Sequence, residues 1–124
     1  MAHPTQLLEE LQRTMPEVMV QQWIYGLFNT TRPDIDRGLK GILSVTDKQL
    51  IFWSGSKREE NSAYIIPCEN IESIAFNPEG PANIFCNLTD GTYIEMSFIS
   101  RGNPKEFFGC LQLFCQSKVD SSLS

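Results

Sequence analysis

The sequence predicts a mainly β fold: a seven-stranded antiparallel, partly open barrel capped by a C-terminal α-helix, with a short helix at the N-terminus. Three observations carry this. Seven short runs of β-branched, aromatic or alternating apolar residues are separated by clusters of turn formers. One amphipathic segment at the end of the chain has helical spacing and an apolar face, the shape of a plug for the open side of a curled sheet. The 124 residues are 41% hydrophobic and 20% charged, enough to bury one core and too apolar for wholesale disorder.

Taken in order, Leu7, Leu8 and Leu11 recur at helical spacing opposite Glu9, Glu10 and Arg13, which predicts a helix over Thr5 to Thr14 with Thr5 as its N-cap. Pro16 ends it, because the residue before a proline is driven out of the helical region. From Glu17 to Phe28 a β-branched and aromatic stretch reads as one long strand, with Gly26 marking a bulge or bend. Asn29 to Gly38 has loop composition. Gly41–Val45 and Leu50–Trp53 then form a hairpin whose tip is Asp47-Lys48. Ser54 to Ser62 is polar and leads to a strand at Ala63–Pro67, a turn at Cys68-Glu69-Asn70 and a strand at Ile71–Phe76. The cluster Asn77-Pro78-Glu79-Gly80-Pro81 closes that strand.

Ile84, Cys86 and Leu88 alternate with polar or aromatic neighbours, Asp90-Gly91 supplies a tight turn, and Ile94, Met96 and Phe98 resume the alternation, so these apolar positions are expected to share the core face. Asn103-Pro104-Lys105-Glu106 is a helix start, with Asn at the N-cap, Pro at the first helical position and Glu two residues on. Phe107, Phe108, Leu111, Phe114 and Cys115 follow at helical spacing to about Lys118. This gives an N-terminal helical extension at 1–16, a domain at 17–118 and a disordered tail at 119–124.

Several residues beyond the general pattern resemble a known family. Gly38 through Gly55 is similar to the G-x-L-x-x-T-D-x-R-L-I-F core of bacterial pleckstrin-homology-like domains, which are related to GRAM domains. Ile66-Pro67-Cys68-Glu69-Asn70-Ile71-Glu72-Ser73-Ile74 resembles that family's I-P-Y-x-x-I-x-x-I strand entry, Thr89-Asp90-Gly91 its late hairpin, and Asn103 to Cys115 its closing helix. Gln49 stands where the family often has a basic residue and Cys68 where it often has an aromatic. The resemblance implies a seven-strand barrel with a C-terminal helix, usually without enzymatic activity.

Composition narrows the function. A net charge of -5 and a pI near 4.8 oppose a nucleic-acid binder. The single histidine, His3, sits in the terminus, so no nucleophile has a histidine base within a folded segment. No Gly-rich phosphate loop occurs, and the cysteines lack zinc spacing. No catalytic, metal or cofactor site is expected. No secretory or membrane-spanning segment is read either, so a cytoplasmic setting is expected, with Cys68, Cys86, Cys110 and Cys115 as buried small hydrophobes.

The favoured role is a protein-binding or self-assembling module using exposed strand edges and the aromatics Trp23, Tyr25, Trp53 and Tyr64, which fall in strands apolar on both faces. The alternative is peripheral binding of anionic lipid headgroups by Arg32, Arg37, Lys40, Lys57 and Arg58, since cations at loop rims form charge-assisted bonds with phosphate. Asp34, Asp36, Glu59 and Glu60 interleave with these cations and weaken their field.

Overall fold

The computed structural model describes residues 4–31, 38–54 and 63–116. The elements run α1 (Pro4–Thr14), β1 (Gln22–Thr30), β2 (Leu39–Val45), β3 (Gln49–Trp53), β4 (Ala63–Pro67), a 3₁₀ turn (Cys68–Asn70), β5 (Ile71–Asn77), β6 (Asn83–Leu88), β7 (Tyr93–Gly102), α2 (Pro104–Leu111) and a π turn (Gln112–Gln116). The seven strands form one antiparallel sheet in the order β4-β3-β2-β1-β7-β6-β5, curled into a half-barrel. β1 is thus the central strand, joined to β2 on one side and to β7 on the other.

The curl creates two cores. Inside the barrel, Ile24 and Phe28 of β1 pack with Leu43, Leu50, Phe52, Ile84, Ile94 and Met96, and Phe107, Leu111 and Cys115 close this interior from the C-terminal helix. Outside, Ile42, Ile51 and Trp53 are covered by Leu7 and Leu11 of α1, with Val18, Val20, Trp23 and Tyr25 packed around them. The strands of β2 and β3 are buried on both faces for this reason, and the N-terminal helix packs on its own barrel.

Local chemistry explains the connections. Thr46 Oγ1 accepts from the backbone N–H of both Lys48 and Gln49 at 3.1 Å, fixing the β2–β3 tip. Asn103 Oδ1 accepts from the N–H groups of Lys105 and Glu106, each at 3.1 Å, so it caps α2 as the sequence indicates, with Pro104 at the first helical position. Gly91 turns the β6–β7 hairpin with φ 90°, a conformation that glycine adopts without steric cost.

Four local expectations are corrected. Thr5 is inside the first turn of α1, which starts at Pro4, where the missing N–H of proline costs no helical bond. β1 begins at Gln22, because the stretch from Glu17 to Gln21 is the connection that carries Val18 and Val20 beneath α1. Phe98 is not in the core. The β1–β7 register runs Leu27↔Ser97 and then Tyr25↔Arg101, so β7 holds two more residues than β1 there. That bulge interrupts the alternation, turning Ile99 toward the interior and leaving Phe98 63% exposed at φ 49° before the original parity resumes at Arg101. Finally, the cysteines are not four equivalent hydrophobes. Cys68 and Cys115 form a disulfide, Cys86 is a buried thiol and Cys110 is half-buried on α2. The loops carrying Arg32, Arg37, Lys57 and Arg58, and the tail expected at 119–124, lie outside the described residues.

Candidate functional site

The ends of the strand order, β4 and β5, each pair with one neighbour among the described residues, which makes them the edges of the described sheet. The 3₁₀ turn between them is tied down on both sides. Cys68 N–H donates to the Lys48 carbonyl at 2.9 Å, and Thr89 N–H, from the β6–β7 turn, donates to the Asn70 carbonyl at 2.9 Å. Behind these bonds Cys68 is linked to Cys115, with Cα atoms 4.8 Å apart, which joins the corner to the end of the C-terminal helix.

This anchored corner frames a recess of about 240 Å³ lined by Tyr64, Ile65, Ile66 and Pro67 of β4, by Asn70, and by Leu88, Thr89 and Asp90 at the opposite hairpin. Ile65 is 41% exposed on the β4 edge. An edge strand with an exposed β-branched side chain and an adjoining recess is the kind of element that can accept an extended segment through main-chain hydrogen bonds and house one of its side chains.

The four aromatics proposed as an interface do not form one patch. Trp53 is 7% exposed under α1, and its Nε1–H donates to Glu10 Oε1 at 3.2 Å. Trp23 and Tyr25 are half-buried against the same outer cluster. Tyr64 packs on the inner cluster instead, edge-on to Phe28 at 6.0 Å, while Phe28 stacks on Phe52 at 4.0 Å. Of the five cations considered for a headgroup, Lys40 is described. It is exposed on β2 opposite Leu27.

Neither thiol is activated for nucleophilic chemistry. Burial pushes the Cys86 thiol up to about 12, and burial together with the nearby Glu106 carboxylate raises that of Cys110. Among the described residues no three His, Cys, Asp or Glu side chains gather as metal ligands, and no helix is long and apolar enough to cross a membrane.

Sequence reasoning missed the exposure of Phe98 and the edge position of β4. Two signals pointed to Phe98: the adjacent apolar pair Phe98-Ile99 breaks period-two alternation, and Gly26, read as a bulge marker, sits opposite the extra residues, on the partner strand rather than within the bulge.

No family model matches the sequence, and no curated protein does. Among solved structures the fold is similar to the pleckstrin homology domain of USP37, at 17% identity and a TM-score of 0.59, over 78% of this chain and 97% of that one. Curled seven-strand sheet, closing C-terminal helix and this similarity together give the chain a pleckstrin-homology-like fold.

Proposed function

We propose that this chain is a non-catalytic interaction module that binds a protein segment, or a second copy of itself, along the β4 edge. The observation that carries the reading is that β4 ends the strand order among the described residues, with Ile65 exposed next to the recess shared with Asn70, Leu88 and Asp90. Strand addition suits this corner because the 3₁₀ turn and the disulfide hold it in place, so little ordering entropy is lost on binding. The Cys68–Cys115 pairing favours an oxidising compartment over the cytoplasm, where thiols are kept reduced.

Light scattering across a concentration series tests self-assembly directly. A mass above 14.1 kDa that returns to one chain on Ile65→Lys supports edge pairing, since a charge on an edge strand opposes addition of another. For a heterologous segment, the β4 amides should gain protection from hydrogen exchange when it binds. A chain that is monomeric throughout and whose β4 amides are never protected refutes the reading. Flotation with anionic vesicles that is lost on Lys40→Glu would replace it with headgroup binding.

A further inference from the structure

The outer face of the sheet is covered unevenly. α1 covers the β2–β3 side, and on β6–β7 Phe85 stacks on Tyr93 with ring centroids 4.6 Å apart. Between these two lies a stripe crossing β2, β1 and β7. Leu27 pairs with Lys40 on one side and Ser97 on the other, and Tyr25, which borders the α1-covered cluster, pairs on its β7 side with Arg101. Partners directly opposite in an antiparallel pair share a face, so Lys40 and Arg101, both exposed, flank the stretch that contains Phe98. Glu95, opposite Asn29, is the acidic residue at the far end of the stripe.

Phe98 itself is unusual in two independent ways. It is an aromatic with 63% of its surface exposed, and its φ of 49° is a left-handed conformation that a bulky side chain rarely adopts. Ordinary alternation would have buried it after Met96; the bulge, admitted by Gly26 across the ladder, holds it out and fills its core position with Ile99. Backbone strain kept to display an apolar side chain does not serve the interior, and such strain concentrates at binding sites. Aromatic and arginine side chains are the residue types that dominate interface energetics.

We infer that this stripe is a second docking surface, separate from the β4 edge, for a partner segment that places an apolar side chain against Phe98 and Leu27 and carboxylates against Lys40 and Arg101. The choice of an acidic segment follows from local charge complementarity: Lys40 and Arg101 stand exposed on this stripe and outweigh there the field of a chain whose net charge is -5.

Peptide display tests it. A random dodecapeptide library is panned against the full chain and counter-selected on Phe98→Gly, and one enriched sequence is synthesised. Enriched peptides should carry Asp or Glu beside Leu, Ile, Met or Phe. The synthesised peptide should bind at least tenfold more weakly to Phe98→Gly and to the double variant Lys40→Glu/Arg101→Glu, should weaken as salt rises, and should bind Ile65→Lys unchanged, which separates this surface from the β4 edge. Glycine accepts φ 49° without cost, so Phe98→Gly should melt at the same temperature as the parent or a few degrees higher. The inference is overturned by a lack of enrichment over Phe98→Gly, by enriched sequences without acidic residues, or by a melting temperature that falls several degrees in Phe98→Gly, which would make Phe98 structural. Phe98-dependent flotation on phosphatidylserine vesicles without peptide binding would likewise replace the acidic segment with a lipid surface.

Discussion

Trp53 and Glu10 are joined across the outer face of the sheet, the indole N–H at the end of β3 donating to the carboxylate on α1 at 3.2 Å. The bond fixes the orientation of a helix whose main attachment is apolar, through Leu7 and Leu11. Leu11→Ala should therefore cost about 2–5 kcal/mol, the range for truncating a fully buried leucine, and the fluorescence of Trp53 should move to longer wavelength as the helix loosens. Urea unfolding and an emission scan of the same variant check both. An unchanged midpoint and spectrum would mean that α1 contributes nothing to this barrel.

Gly26→Ala should destabilise by about 1–3 kcal/mol, because an ideal Cβ at that position lies 2.7 Å from the Ser97 carbonyl oxygen and 3.2 Å from the Ile99 Cα, and these are backbone atoms of β7 rather than the end of a flexible side chain. Gly109→Ala is the matched control. Nothing lies within 4 Å of a Cβ there, so alanine in α2 should add up to about 1 kcal/mol of stability through helix propensity. Thermal melts of the pair decide.

The disulfide closes a loop of 47 residues between Cys68 and Cys115, a constraint on the unfolded chain worth roughly 4 kcal/mol in the chain-entropy account. Urea melts with and without a dithiol reductant should differ by about that amount, and Cys68→Ser/Cys115→Ser should reproduce the reduced curve. A thiol assay on unreduced, denatured protein should find Cys86 and Cys110 only. Four reactive thiols in that assay would contradict the bond.

Stability should also fall in alkali through Cys86. Its thiol titrates near 12 in the fold against an ordinary 9.0, so between those values the unfolded chain has lost a proton that the native one retains. The stabilisation is complete below about pH 9 and is lost as pH rises toward 12, at about 1.4 kcal/mol per pH unit. Urea melts at two alkaline pH values, compared between the parent and Cys86→Ala, should show the smaller pH dependence in the variant. Equal slopes would show that Cys86 meets solvent.

Most of the architecture is readable from local pattern. The seven strands, the Thr46 to Gln49 tip, the Asp90-Gly91 turn and the Asn103 cap follow from alternation and from side chains bonding to backbone within three residues. Features that depend on who pairs with whom are not readable in this way. Phe98 continues the spacing of Ile94 and Met96, and only the adjacent Ile99 hints at the bulge that forms opposite Gly26 on another strand. Trp23, Tyr25 and Trp53 announce that both faces of their strands are apolar, but the identity of their cover, α1, depends on where the chain folds back. Cys68 and Cys115 meet only because a helix end and a strand corner converge. Ile65 is an unremarkable strand residue until the strand order makes β4 an edge.

That strand order also dictates the sequence in which the sheet can close during synthesis. The hairpins β2–β3 and β6–β7 pair neighbours in the chain and form as soon as both strands have left the ribosome. β1, although made first, has its second partner, β7, almost last, and Cys115 follows later still. A nascent chain must therefore hold one side of its central strand open, with Ile24 and Phe28 uncovered, until β7 has been made. The β1–β7 seam is where premature release, a pause or a second nascent chain would do most harm, and where a chaperone would have its longest opportunity to act.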